Sequence, residues 1–158
     1  MPVRNPRIAS LVLDERSVVR RGPDIEHERQ VAIFDLLEEN FFAPVGEHSG
    51  PYNLHLGIVE SRLTFDIRTE DDMSLGQVIL ALSPFRRIVK DYFEICDSYF
   101  QAIKKSTPSQ IETLDMARRG IHNDGSNLLV ERLKGKIDID HATSRRLFTL
   151  ICVLHIKG

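Results

Sequence analysis

The chain has 158 residues, of which 42% are hydrophobic and 28% charged, and a formal net charge of −2 at pH 7. This length and composition predict one globular domain spanning residues 1–158, with a flexible start over residues 1–6, and they exclude a disordered chain. The slightly negative charge makes nucleic acid an unfavourable partner, and no apolar run is long enough to cross a membrane.

The two cysteines indicate the compartment. Cys96 and Cys152 each lie in an apolar helical pattern. Small secreted scaffolds carry more cysteines, so we predict two buried, reduced thiols in a cytoplasmic protein. The polar, proline-broken N-terminus lacks the apolar segment of a signal peptide.

The first predicted elements are a strand and a helix. Arg7–Leu13 is typical of a strand, and Val18-Val19 suits a short return strand. A helix is expected from Asp24, because acidic residues in its first turn suit the helix dipole. Its apolar stripe is predicted from four residues at helical spacing: Val31, Phe34, Leu37 and Phe41. Pro44 cannot continue the helix.

Two alternating segments then predict an antiparallel hairpin with its turn at Glu60-Ser61. This register pairs Ile58 with Leu63, Leu56 with Phe65, and Leu54 with Ile67, so one face is apolar. The other face sets His55 opposite Asp66, as a surface pair or an oriented acid–base pair. The run Gln77–Leu82 predicts a further, more buried strand.

The remaining chain is predicted to be helical. Ser83-Pro84 should cap a helix that runs to about Lys105, and Thr107 begins a capping box. Residues 107–134 suit either one long helix or two shorter ones, broken near Asn123-Asp124-Gly125. Gly135 should end this segment, and Asp140 should cap a last helix that reaches about residue 155.

Early strands and late helices indicate an α+β fold, with a small antiparallel sheet of about four strands packed against four to five helices.

The densest polar cluster lies on the predicted helix over residues 107–134. It contains Asp115, Arg118, Arg119, His122, Asn123 and Asp124. Arginine beside histidine at helical spacing could place an acid or base next to a bound anion. A solvated helix edge would have the same composition. We therefore treat Arg118, Arg119, His122 and Asp124 as candidate catalytic residues, with the structural interpretation kept beside them.

Eight of the fifteen arginines lie in adjacent pairs, at Arg20-Arg21, Arg86-Arg87, Arg118-Arg119 and Arg145-Arg146. Guanidinium groups bind phosphate and carboxylate through two parallel hydrogen bonds. Arg86, Arg87, Arg145 and Arg146 are candidate anion ligands because they fall near predicted helix N-termini. The favoured interpretation is that they pair with internal carboxylates such as Asp138 and Asp140.

No phosphate loop, nucleophile elbow or dinucleotide fingerprint occurs, so no cofactor is predicted. Asp138, Asp140 and His141 have the chemistry of metal ligands, but Asp140 is better explained as a helix cap. No metal site is predicted.

Four segments together resemble an uncharacterised family of short alphaproteobacterial proteins. They are Ala32–Leu37, Arg118–Ser126, Leu133–Ile137 and Arg145–Leu150. The resemblance covers nearly the whole chain and implies a bacterial cytosolic protein. It carries no assigned activity, so no catalytic residue follows from it.

These observations favour a binding or regulatory protein that recognises a partner or a small anionic ligand through its C-terminal helices. The alternative is a small hydrolase or transferase acting on a phosphorylated or carboxylated substrate. A homo-oligomer whose interface is its function stays open as a third class.

Overall fold

The structure is a computed structural model that describes residues 4–14, 23–46 and 48–154. It confirms the α+β class. In the described residues the elements run in chain order as β1 (Ile8–Leu13), α1 (Pro23–Glu38), β2 (Phe42–Pro44), β3 (Tyr52–Val59), β4 (Arg62–Thr69), β5 (Ser74–Ala81), α2 (Ser83–Lys105), α3 (Pro108–Leu133), β6 (Ile137–Ile139) and α4 (His141–Leu154).

The main sheet has the strand order β1-β3-β4-β5 and is mixed. The prediction of an antiparallel sheet is therefore wrong for one pair, because β1 runs parallel to β3. A parallel connection needs a crossover, and α1 lies between these strands in the chain. The remaining pairs are antiparallel, and the predicted hairpin register is confirmed at each position, including Leu56 opposite Phe65 and His55 opposite Asp66.

A second sheet, with two strands, was not predicted from the sequence. The three-residue strands β2 and β6 pair antiparallel, with Ala43 opposite Asp138. Segments this short carry no readable alternation, and their partners lie almost a hundred residues apart. Only the folded chain brings them together.

The predicted apolar stripe of α1 is confirmed only at Leu37, which packs against the core, and is wrong at its other positions. Phe34 is 68% exposed and Val31 is 43% exposed, whereas Ala32 and Leu36 are buried. Phe41 lies beyond the end of the helix. The pattern misled because α1 carries apolar residues on more than one face, and packing against α4 selects the face that is buried.

β5 also differs from the prediction of a more buried strand. It begins at Ser74 and lies at the edge of the sheet, and most of its residues are exposed. A continuous apolar run does not distinguish a central strand from an edge strand, because pairing partners decide that position.

Several helix boundaries were predicted correctly. Thr107 and Gln110 form the reciprocal capping box of α3, which is one uninterrupted helix. Gly135 follows α3 with a φ of 82°, and the Asp140 carboxylate accepts a hydrogen bond from the Thr143 amide at 2.8 Å. Ser83 does not cap α2, since the cap position is Leu82 and no side chain accepts a hydrogen bond there.

Two expectations, a strand at Val18-Val19 and a helix end near His155, lie outside the described residues.

The core lies where α4 meets the sheet and the other helices. α4 contacts α1, α3 and β3, and all residues from Leu150 to Leu154 are buried. Among the helices in the described ranges, none is long and apolar enough to cross a membrane.

Candidate functional site

A pocket of about 560 Å³ is formed by residues of all four helices. α1 supplies acidic and apolar residues, α2 supplies Tyr92, and α3 and α4 supply most of the positive charge. The polar lining includes Glu28, Asp35, Arg118, Arg119, His122, Arg145, Arg146 and Thr149. Acidic residues of α1 and arginines of α3 and α4 therefore meet at one cavity.

The α3 side of the pocket is organised by Asp115. Its carboxylate lies 2.6 Å from an Arg118 Nη2 and 3.0 Å from an Arg119 Nη2, because residues three and four positions apart share a helix face. The hydrogen bond from Arg118 lowers the pKa of Asp115, which keeps the carboxylate charged. The Arg118 guanidinium also lies 4.9 Å from the centre of the Tyr99 ring, a cation–π contact that fixes its position.

On α4, Arg145 and Arg146 line the same pocket. Arg146 Nη1 lies 3.4 Å from the backbone oxygen of Glu39. Arg145 is exposed, and in the described ranges its guanidinium forms no ion pair or hydrogen bond. Its charge is therefore available to a ligand.

His122 links the two basic helices. Its Nε2 lies 2.8 Å from the Thr149 hydroxyl oxygen, and that hydroxyl lies 3.2 Å from the Arg145 carbonyl. When the hydroxyl donates to the carbonyl, as threonine commonly does within a helix, Nε2 must carry the imidazole proton. Nδ1 is then an acceptor, and it is buried with no hydrogen-bond partner in the described part of the chain.

The surroundings of His122 favour its neutral form. Burial, and after it the positive charges of Arg145 and Arg118, lower the pKa of His122 to about 4. The ring packs edge-on against Tyr92 at 5.3 Å and Phe148 at 5.2 Å between ring centres. At neutral pH the imidazole is thus uncharged and firmly held.

Small residues hold α3 against α4 next to the pocket. The Phe148 ring occupies the space that a Cβ atom at Gly125 would need. The Ser144 hydroxyl donates to the Ser126 carbonyl at 2.7 Å, and both serines are fully buried. The sequence left open whether Gly125 lies in a turn or within one long helix; it lies within α3, where the absence of a side chain lets the two helices approach. The sequence carries no signal for this contact, because the burial of Gly125 and Ser126 is visible only in the structure.

Some candidates lie elsewhere. Asp124 is exposed on α3 and does not line the pocket, because two residues along a helix reach nearly the opposite face. Arg86 and Arg87 are exposed near the start of α2 and also do not line it. Arg87 Nε lies 3.9 Å from Asp91 Oδ2, a long contact for an ion pair. Arg20 and Arg21 lie outside the described residues.

Of the arginines at Arg86, Arg87, Arg145 and Arg146, Arg87 pairs with an internal carboxylate, and that carboxylate is Asp91 rather than Asp138 or Asp140. Within the described residues, neither Asp138 nor Asp140 forms an ion pair with Arg86, Arg87, Arg145 or Arg146. Asp140 is engaged by the N-terminus of α4, as its cap role required.

The His55–Asp66 pair has a different arrangement from an acid–base dyad. Asp66 accepts hydrogen bonds from Arg68 at 2.8 and 3.1 Å, and His55 Nε2 lies 3.4 Å from Asp72. Arg68 thus occupies the carboxylate that would orient the imidazole. Across the described residues, no three His, Cys, Asp or Glu side chains form a group that could hold a metal ion.

Comparison with known proteins places the chain in a family. The model of the uncharacterised protein family UPF0262 matches residues 5–157. The chain belongs to UPF0262. The family resemblance inferred from the sequence is therefore confirmed.

The UPF0262 relatives are alphaproteobacterial and match over nearly their full length. A UPF0262 protein of Rhodopseudomonas palustris (strain BisB5) is 62% identical over 154 residues, which cover 98% of this chain and 94% of the relative. One from Paramagnetospirillum magneticum is 61% identical and covers 100% of both chains. One from Agrobacterium fabrum is 60% identical and covers 96% of both. No solved structure matches the chain significantly.

Proposed function

We propose that this protein is a binding or regulatory protein whose pocket takes a small ligand carrying a phosphate or carboxylate group. One observation carries the proposal. Two arginine pairs that lie far apart in the sequence, Arg118-Arg119 and Arg145-Arg146, line the same cavity. Arginine forks are the side chains best suited to bind these anions through paired hydrogen bonds.

The availability of charge supports the arginines of α4 as the main ligands. Asp115 already contacts both Arg118 and Arg119, which leaves less of their charge for a ligand. Arg119 is nevertheless 67% exposed at its side chain, and Arg145 is exposed without a carboxylate partner in the described residues. A cavity of about 560 Å³ lies within the usual range of about 300–1,000 Å³ for small-molecule sites.

Unpaired polar atoms at the pocket give further support. Arg118 Nε and His122 Nδ1 are both buried without a hydrogen-bond partner in the described part of the chain. Each such atom costs about 1–3 kcal/mol of stability while it is unpaired, and a bound anion that accepts a hydrogen bond from Arg118 Nε would remove that cost.

The alternative of a small hydrolase or transferase has less support. It needs Asp124 beside His122, and Asp124 is exposed away from the pocket. It also needs an accessible imidazole nitrogen, whereas Nε2 contacts Thr149 and Nδ1 is buried. A binding role requires neither.

The cytoplasm is the proposed compartment. Both Cys96 and Cys152 are buried and free, as expected for a protein that folds in a reducing environment.

The test is a titration of the protein with inorganic phosphate and with malonate, followed by NMR of the arginine Nε–Hε signals. We expect shifts at Arg145, Arg146 and Arg119, and an Arg145→Ala variant should bind at least about tenfold more weakly, or about 1.4 kcal/mol.

Arg86→Ala is the matched control. Arg86 is also exposed and also has an arginine next to it in the sequence, but it does not line the pocket. An absence of shifts with both anions, or equal weakening by the two variants, would rule out this site.

A further inference from the structure

The two edge strands of the main sheet, β1 and β5, differ in whether other groups hydrogen-bond to their outer main chain. At the start of the β1 edge, the Asn40 side chain pairs with the main chain of Ile8 as a residue of a neighbouring strand would. Its Oδ1 accepts from the Ile8 amide at 2.7 Å, and its Nδ2 donates to the Ile8 carbonyl at 3.0 Å. Asn40 also donates to the Leu36 carbonyl at 2.7 Å, which ties this cover to α1.

The β5 edge has no such cover. Across the described residues, no side chain and no backbone outside the sheet hydrogen-bonds to the main chain of Gly76 through Ala81. A strand at the edge of a sheet directs alternate N–H and C=O groups outward, where they can pair with another strand. An open cleft of about 300 Å³ separates Ile79, Leu80 and Ala81 from a wall that includes the ends of two helices. That wall is formed by Pro84 of α2, Glu131 and Arg132 of α3, and Lys136, and the cleft keeps it from covering the strand.

Apart from a bulge at its start, where Gly76 and Ser74 pair with Ile67 and Arg68, β5 has no feature that discourages pairing. Ser74–Ala81 contains no charged residue and no proline, although edge strands that must stay unpaired usually carry one or both. Ile79 is 45% exposed on the outer face of the sheet, where it lies opposite Thr64. The strand is therefore long, neutral and open.

We infer that two copies of this chain associate by antiparallel pairing of β5 with β5 about a two-fold axis at Ile79, which joins the two sheets into one of eight strands. This inference is independent of the proposed ligand pocket, because none of the residues that line that pocket lies on β5.

The second copy is favoured over another extended segment because β5 is complementary to itself in this register. Ile79 then faces Ile79 on the outer side, and Val78 faces Leu80 on the side that packs against the core. Ala81 faces Gln77, and those residues lie next to Arg62 and Asp66 of their respective β4 strands. Arg62 of one copy and Asp66 of the other are then about 14 Å apart, three strand spacings, so neither charge opposes the pairing. The match rests on the apolar residues Ile79, Val78 and Leu80.

The first test is sedimentation equilibrium of the full chain over a range of concentrations. We expect the wild type to dimerise, and Ile79→Lys to raise the dimer dissociation constant at least about tenfold because it places two positive charges at the axis. Val59→Lys is the matched control, since Val59 is 47% exposed at the end of a strand that is not at an edge. It should dimerise like the wild type.

The second test uses a substitution that the fold should tolerate more easily. Residues that face each other in an antiparallel pair have Cα atoms about 4.5–5.5 Å apart, within disulfide range. Ile79→Cys should therefore cross-link two chains under mild oxidation, and Val59→Cys should not.

A wild type that stays monomeric throughout the concentration range overturns the inference. Dimerisation of Ile79→Lys with unchanged affinity, or cross-linking of Val59→Cys in preference to Ile79→Cys, would assign the interface to another surface and overturn it as well.

Discussion

The ring of Phe148 on α4 lies against the backbone of Gly125 on α3, in the space where any other residue would place its Cβ atom. Phe148 is fully buried and also packs against Tyr92 and His122, so it has little freedom to move aside. This contact brings the helix that carries Arg118 close to the helix that carries Arg145. The pocket depends on it.

Gly125→Ala should therefore reduce the free energy of unfolding by about 1 kcal/mol or more, measured by urea denaturation. Overpacking a core typically costs about 1–3 kcal/mol, which exceeds the gain of up to about 1 kcal/mol from alanine in a helix. Gly120→Ala, in the same helix with open space at its Cβ, should be neutral or stabilising. Equal effects of the two substitutions would show that Phe148 adjusts freely.

The pH dependence of stability should carry a contribution from His122. Its pKa is near 6.5 in an unfolded chain and about 4 in the folded protein. Between these values the unfolded state binds more protons, so the contribution is full above pH 6.5 and is lost as the pH falls toward 4. From pH 7 to pH 5 the loss should be about 2 kcal/mol.

The check is to compare denaturation of the wild type and His122→Gln at both pH values. The variant should lose less stability on acidification than the wild type. The same loss in both proteins would mean that His122 keeps an ordinary pKa after folding.

Truncation of two residues of α1 should change the free energy of unfolding by very different amounts. Leu36 is fully buried, so Leu36→Ala should lower the free energy of unfolding by about 2–5 kcal/mol. Phe34 is 68% exposed, so Phe34→Ala should change it by less than about 0.5 kcal/mol. Thermal or urea unfolding of both variants checks this, and a large loss for Phe34→Ala would indicate that its ring is covered in solution.

The contribution of the Asp140 cap of α4 to the free energy of unfolding should be measurable by substitution. Asp140→Ala removes the acceptor for the Thr143 amide and should cost about 1 kcal/mol of stability, while Asp140→Asn should restore most of it. Asp138→Ala, at an exposed position two residues earlier, serves as the control in the same denaturation experiment. A loss of similar size at position 138 would assign the effect to charge rather than to capping.

Neither cysteine should react with iodoacetamide in the native protein at pH 8. Burial raises the pKa of Cys96 to about 11 and raises the pKa of Cys152 as well, and only the thiolate is reactive. Both should react once the chain is unfolded in urea, as followed by intact mass. Rapid native labelling of Cys152 would contradict its burial in the last turn of α4.

The sequence was most informative where a local rule decides the structure. The β3–β4 register follows from strict alternation, since a one-residue slip would expose Leu56 and Phe65 together. The capping box at Thr107 and the cap at Asp140 each depend on residues within three or four positions. Such features are determined before any distant contact forms.

Ambiguous patterns were decided only by packing. In α1 the spacing of Phe34 and Val31 was as regular as that of Ala32 and Leu36, and contact with α4 selected the second pair. Gly125 suited a turn, yet the ring of Phe148 gives it a place inside a continuous helix.

By itself, the sequence determined the α+β class, the hairpin and the caps of α3 and α4, because those depend on local periodicity and nearby residues. Four of its segments also indicated the family. The tertiary structure alone decided that Arg118 and Arg145 share a pocket while Arg86 and Asp124 do not, and that β5 lies at an open edge. Those outcomes depend on which surfaces of distant elements meet. No local pattern could reveal the close approach of α3 and α4, which is possible because residue 125 is a glycine.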